Sequence, residues 1–374
     1  MCVLKVYFAS NNMNSLRKYE LLKKKYKKIN KSCEICSNTQ KQKIQSIGRV
    51  ARPGDYGELK IYICKNCGYK FQNPSYPDKF FKEYYEILYR QVAFDGKEPS
   101  TIYLSEQKKR GYGVFNWINK LEKVNFKRKV LLDHGCASGV TMDCWKKAKW
   151  KTFGVDPHVP SVKLARKLGY DVNVGLGEKL PFPDKSFSLV ISLGSLEHSY
   201  NLNRSLKEIR RVLDNDGYLF VRWRSDKIFG SPLEYYNHNH YRFFTNKTWR
   251  LVLKKYGFNI LSKTKDRLEG WDSYEYFIAK KKKIDIPDFS KINFDYKKEI
   301  ALLKKIRKKY YFNSKKFIDL YNNYKDCEDF FSRLQNTTLK NNWGFLGGKP
   351  KEKIKRSLME AKLYIKKYES GEVY

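Results

Sequence analysis

The chain has 374 residues, 41% hydrophobic and 16% aromatic, enough to bury a full core and to form more than one domain. No apolar run is long enough to cross a membrane, and Met1–Ser10 is broken by Lys5, a poor secretion signal, so a cytoplasmic chain with reduced thiols is expected. The formal net charge of +38 rests largely on lysine runs such as Lys23–Lys25 and Lys280–Lys283, which read as solvated helix faces rather than an arginine-rich nucleic-acid arm.

Residues 1–32 form a basic, helix-prone lead-in with a thin apolar stripe at Tyr19, Leu22 and Tyr26. Residues 33–75 then carry two C-x-x-C knuckles, Cys33-Glu34-Ile35-Cys36 and Cys64-Lys65-Asn66-Cys67-Gly68. Each pair can hold one metal through a tight turn, and four thiolates give a closed tetrahedral site, so structural Zn2+ is expected at Cys33, Cys36, Cys64 and Cys67. A redox pair is the weaker reading, because the spacing is matched on both sides. Between the knuckles, Ile44–Ile63 reads as strands, with turns at Pro53-Gly54 and Tyr56-Gly57, which suits a zinc ribbon. Residues 76–126 read as a helical connection and lid over the cofactor site. They include a Phe80–Arg90 helix whose tyrosines suit a core, and a second helix, Leu104–Leu121.

The rest is organised around Val130–Gly139. An apolar run ends in Asp133, small residues follow at Gly135, Ala137 and Gly139, and Val140–Ala148 reads as a helix. Strand, small-residue turn and helix open a nucleotide-type α/β domain. The second strand, Thr152–Asp156, also ends in an acid, 23 positions on (156 − 133), where doubly wound folds place the carboxylate that accepts ribose hydroxyls. Helices at 160–168, 202–213 and 247–256 alternate with strands at 171–174, 186–192 and 218–223, with a turn at Asp214–Gly217. Final strands follow at 258–263 and 274–279. Residues 283–374 read as a basic helical extension, with stripes at Ile300–Lys308, Lys315–Tyr324 and Lys351–Tyr368 and a turn at Trp343–Gly348.

In order along the chain stand Asp133-x-Gly135-x-Ala137-x-Gly139, Asp156, Leu180-Pro181-Phe182, Phe187–Val190, Leu196-Glu197-His198, and Leu206–Leu213 followed by Gly217. This ordered set, over roughly 127–282, resembles class I S-adenosylmethionine-dependent methyltransferases. The fold implied is α/β, a Rossmann-like doubly wound sheet of seven strands, flanked by the N-terminal zinc ribbon and the C-terminal helical extension. The four-cysteine module and its Phe71-Gln72-Asn73-Pro74 tail look like the zinc-bearing methyltransferases of bacterial surface-polysaccharide and deoxysugar pathways. Tyr236–Thr245 is similar to the Tyr-His-Glu-His segment of sugar-nucleotide C-methyltransferases, with Asn239 in place of Glu. The second α/β domain of those enzymes is not matched by 283–374, Ala137 replaces a usual Gly, and Leu176 stands where an Asp often contacts adenine.

The resemblance implies S-adenosylmethionine held by Asp133 and by the loop of Gly135, Cys136, Ala137 and Gly139 at its methionine and ribose end. Asp156 and Pro157 would hold the ribose, Gly177 and Glu178 the adenine edge, and Ser192 and Leu193 would lie beside the reactive centre. A base that titrates near neutrality points to histidine. Of five, His240 and His238 rank first and His198 next, since all three follow the strands on the ligand side. The expected acceptor is a sugar-type small molecule. RNA held by the ribbon and basic surface is the alternative, and a non-catalytic binding protein of the same fold the third reading.

Overall fold

The structure is a computed structural model and describes residues 10–50, 55–93, 99–225, 231–263, 274–284, 287–292, 294–324 and 350–373. It divides into two compact units: 1–29, 75–223 and 252–287 in the first, and 30–74, 224–251 and 288–374 in the second.

The second unit is built on a sheet of β1 (Lys41–Arg49), β2 (Tyr56–Cys64), β3 (Lys70–Gln72) and β9 (Arg242–Phe243), paired in that order and antiparallel throughout. The turn expected at Tyr56-Gly57 is instead the start of β2, opposite Arg49 and Gly48, because cross-strand pairing extends the hairpin to that point. Pro53-Gly54 lies outside the described residues. Ile61, Ile63, Tyr236, Phe243 and Leu303 form one apolar cluster of the unit. Tyr310, Phe317, Ala361 and Tyr364 form another, between α10 (Tyr296–Tyr324) and α11 (Pro350–Glu369). The two stripes expected at Ile300–Lys308 and Lys315–Tyr324 are one helix, since no Gly or Pro interrupts 309–314. Trp343–Gly348 lies outside the described residues. Lys70 is fully buried and pairs with Glu299 at 3.0 Å.

The first unit carries a seven-stranded sheet. Its strands are β4 (Val130–His134), β5 (Lys151–Asp156), β6 (Asp171–Val174), β7 (Phe187–Leu193), β8 (Leu213–Arg224), β10 (Phe258–Lys263) and β11 (Tyr274–Lys281). Their order is β10-β11-β8-β7-β4-β5-β6, with β5, β4 and β7 at parallel steps and the β10–β11 pair antiparallel. This is the mostly parallel seven-stranded sheet of class I methyltransferases. Leu131, Leu132, Leu189, Val190 and Ile191 are fully buried, as expected for strands covered on both faces. Covering helices include α4 (Thr101–Asn119), α5 (Asp143–Lys147), α6 (Val159–Lys167) and α7 (Leu202–Val212). In α7, Leu202, Leu206, Ile209 and Val212 recur at helical spacing and are buried, while Lys207 and Arg204 face solvent. Trp117 packs edge-on to Phe220 and Tyr276, with ring centres 5.8 and 5.1 Å apart.

Two local expectations are corrected. The turn at Asp214–Gly217 is part of the continuous strand β8. A register shift against β7 between Phe187 and Leu189 absorbs the polar residues, and Asp214 and Asp216 turn outward to Arg128 and to Lys127 and Lys280. The Phe80–Arg90 helix is interrupted. It runs as α2 (Asp78–Glu83), one π turn over Tyr84–Leu88, and α3 (Tyr89–Ala93). A π turn inserts a residue into the helical ladder and re-aims the side chains it carries.

Candidate active site and cysteine cluster

Asp133 and Asp156 stand at the carboxyl ends of the neighbouring strands β4 and β5, where His134 lies opposite Val155. The loop after β4 bends back over β5: Gly135 and Cys136 donate to the Val155 carbonyl at 2.8 and 3.2 Å, and Ala137 donates to Asp156 Oδ2 at 2.9 Å. Gly135, Ala137 and Gly139 all have positive φ, at 79°, 51° and 73°. For Ala137 that conformation costs on the order of 1 kcal/mol, which explains why the familiar motif prefers glycine there. Small residues are demanded by space as well, since a Cβ on Gly154 would come within 2.5 Å of Cys136 Sγ.

Asp133 is 1% exposed, and its Oδ2 accepts a hydrogen bond from the Thr141 hydroxyl. Burial first, and then the neighbouring Asp156, push its carboxyl up to about 7. A raised folded-state value means that this group favours the unliganded fold at pH below the ordinary carboxylate range. That contribution is lost as pH rises to about 7. Asp156 Oδ1 accepts from the His158 backbone at 2.9 Å, so Pro157 sits in a turn closed by the carboxylate.

His134 is buried, which pushes its imidazole down to about 4 and keeps it neutral. Its Nδ1 lies 2.9 Å from Ser195 Oγ, Ser192 Oγ is 2.8 Å from the same hydroxyl, and Ser195 donates to the His134 carbonyl. This chain ties the end of β4 to the end of β7. A Cβ on Gly177 would fall 2.0 Å from His134 Nε2, so the loop after β6 closes directly over the ring. Glu178 is buried and accepts from the Asn201 backbone at 3.1 Å, at the start of α7. The carbonyl of Leu193 is held by the Arg222 guanidinium, which also lies 4.0 Å over the Tyr274 ring.

His198 follows β7 on a single 3-10 turn, Leu196–His198. Its Nδ1 is 3.2 Å from Tyr85 Oη, and the Tyr85 and Tyr89 rings lie 5.3 and 5.1 Å from its own. The π turn thus supplies Tyr85, the hydrogen-bond partner of this histidine, and α3 adds Tyr89 to its aromatic wall. Arg90, on α3, feels burial first, which works against the guanidinium, and the charge of Asp156, with Tyr103, more than restores it. Arg90, Tyr85, Tyr89, Ser195 and Arg222 were not singled out by the sequence. Tyrosines at helical spacing read as core, and a π turn leaves no signature in residue types.

His238 and His240 belong to the second unit. The segment joining α8 (Pro232–Tyr235) to β9 folds against the ribbon sheet. His238 N donates to the Arg49 carbonyl at 2.9 Å, and Gln72 Nε2 donates to the carbonyls of Asn237 and His240 at 3.0 and 2.8 Å. His240 Nδ1 faces the Asn237 side-chain amide at 3.3 Å.

Cys33, Cys36, Cys64 and Cys67 converge in the same unit, with all four sulfurs within 4.8 Å of one another. The Cys33–Cys67 and Cys36–Cys64 sulfurs are 3.5 and 3.6 Å apart, far beyond a disulfide. Tetrahedral zinc with bonds of about 2.3 Å spaces its sulfurs about 3.8 Å apart, so the four thiolates fit the ion.

The sheet is that of class I methyltransferases, and residues 132–221 match the family described as a methyltransferase domain. An uncharacterized protein of Methanocaldococcus jannaschii is 39% identical over 89 residues, which is 23% of this chain and 34% of that protein. The probable tRNA methyltransferase 9B of Bos taurus is 28% identical over 137 residues, 36% of this chain and 29% of that protein. The chain thus spans about a third of the length of these curated relatives. Among solved structures, a SAM dependent methyltransferase from Aquifex aeolicus overlays with a TM-score of 0.37 at 18% identity, covering 47% of this chain and 97% of that one.

Proposed function

We propose that the chain is an S-adenosylmethionine-dependent methyltransferase acting on a sugar-type small molecule, with structural zinc in its cysteine cluster. The observation that carries the reading is the pair of acids at neighbouring strand ends, with the loop between them donating its Ala137 amide to Asp156. Bound there, S-adenosylmethionine supplies an electrophilic methyl on a sulfonium whose leaving thioether needs no acid. The chain's own tasks are then to align the acceptor and to take its proton. Asp156 would accept the ribose hydroxyls through its remaining lone pairs, Asp133 would face the cationic methionine end, and the Gly177 backbone would border the adenine. His240, His238 and His198 are the base candidates, and the orientation of His198 by Tyr85 speaks for a set role in the first unit.

Two arms test this. Isotope-labelled S-adenosylmethionine is offered with nucleotide sugars or with transfer RNA, and calorimetry measures cofactor binding separately. His240→Ala and His198→Ala should each leave cofactor affinity within about twofold, and the variant that removes the base should lower kcat by about a hundredfold or more. A histidine whose loss leaves kcat unchanged is no base. Absence of cofactor binding altogether would reduce the chain to a non-catalytic protein of this fold.

RNA as acceptor is the second reading. Lys297, Lys298, Lys304, Lys305, Lys308, Lys309, Lys315 and Lys316 are all exposed along one side of α10. Steeply salt-dependent binding of transfer RNA, followed by its methylation, would favour it over the sugar.

Cofactor affinity should also depend on pH. Asp133 must be ionised to face a cation, so the dissociation constant should fall by up to about tenfold per unit as pH rises toward about 7, then level off. A flat profile by calorimetry would remove Asp133 from the contact.

A further inference from the structure

We propose that the four-cysteine metal site locks the Asn237–Phe243 segment in place, with Glu34 and Arg242 as the positioning residues that connect them. Glu34 lies inside the first knuckle, between ligand candidates Cys33 and Cys36. Its two carboxylate oxygens take a forked pair of bonds from Arg242, Nε to Oε2 at 2.7 Å and Nη2 to Oε1 at 2.6 Å. The Arg242 side chain is 1% exposed and stacks 4.0 Å over the neighbouring Tyr241 ring. Tyr69, two residues past Cys67, donates to the same Glu34 carboxylate at 3.3 Å.

The second knuckle holds the same segment by a different route. It runs directly into β3, where Phe71 pairs with Arg242 and Lys70 with Phe243. Gln72 then clamps the turn through the Asn237 and His240 carbonyls, and its backbone N donates to the Tyr241 carbonyl at 3.2 Å. Both knuckles therefore end on one short stretch that contains two histidines. Bidentate guanidinium–carboxylate pairing demands fixed geometry on both sides. A knuckle closed on zinc supplies it for Glu34. An opened knuckle keeps only turn bonds such as Ser37 N to the Cys33 carbonyl at 2.8 Å.

Coupling of this kind is reciprocal: if zinc orders the segment, loosening the segment must weaken the hold on zinc. The inference does not depend on methyl transfer, because neither readout below involves turnover. The first readout is hydrogen exchange of the full wild-type chain with zinc and after chelation, well below the melting temperature of the zinc-free chain. Exchange across 237–243 should speed up by about tenfold or more, with smaller change in β1 and β2. The second is the zinc dissociation constant of Arg242→Lys, which keeps the charge but loses the fork, measured by competition with a colorimetric chelator. That constant should rise by about fivefold or more over wild type, although residue 242 contributes no cysteine ligand. Unchanged protection of 237–243 after chelation overturns the proposal, as does a wild-type zinc dissociation constant in Arg242→Lys. Equal loss of protection across 41–64 and 237–243 also overturns it, because zinc would then merely hold the whole unit together. Should Arg242→Lys fail to fold, the wild-type exchange comparison decides alone.

Discussion

Asp156→Ala should raise the dissociation constant for S-adenosylmethionine by about a hundredfold or more in calorimetry. On the proposed reading, two ribose hydroxyls lose an ionised acceptor, and hydrogen bonds to a charged group contribute about 1.5–3 kcal/mol each. The side chain is 6% exposed and also fixes the Ala137 and His158 amides, so its removal loosens the loop that completes the site. Asp184→Ala is the control, because Asp184 is largely exposed in its pair with Arg211. Wild-type affinity in Asp156→Ala would end the nucleotide reading of the β4–β5 strand ends.

The second large effect is expected at the cysteines. Cys64→Ser should abolish retention of one equivalent of zinc, read by elemental analysis. It should also lower the melting temperature by about 10 °C or more, read by calorimetry. Structural zinc contributes about 10–16 kcal/mol in small peptides. Here the unit has apolar clusters of its own around Ile61, Phe243 and Tyr364, so part of its stability survives the loss. A variant that keeps both zinc and melting temperature would sink the metal assignment and, with it, the lock on the histidine segment.

The doubly wound sheet was legible because its signals are local. Val130–Leu132 and Phe187–Ile191 are apolar runs that fit strands buried on two faces. Helices such as Leu202–Val212 announce themselves by spacing, and both acids fall where strands end. The cysteine knuckles were legible for the same reason. What escaped is what depends on distant partners. β3 and β9 are 170 residues apart in sequence (242 − 72), and two residues of strand carry no periodic signal at all. No residue pattern links Glu34, inside a C-x-x-C knuckle, to Arg242, inside Tyr236–Thr245. Asp214–Gly217 has turn chemistry, yet it lies within β8 as the extra residues of the register shift between Leu213 and Tyr218. The histidines were found by residue type, but only the structure assigns His198 to one unit and His238 and His240 to the other.

The second unit is assembled from 30–74, 224–251 and 288–374, and this has a consequence for synthesis. The ribosome releases the hairpin of β1 and β2 long before it makes β9, and longer still before α10 brings Glu299 to Lys70. For that interval the nascent ribbon is a sheet whose β3 edge lacks β9 and whose Lys70 lacks Glu299. On the zinc reading, metal capture by the cysteines adds to the hairpin pairing as a stabilising event available to it early. Zinc supply during translation should therefore govern the yield of correctly assembled chain more than zinc supply afterwards.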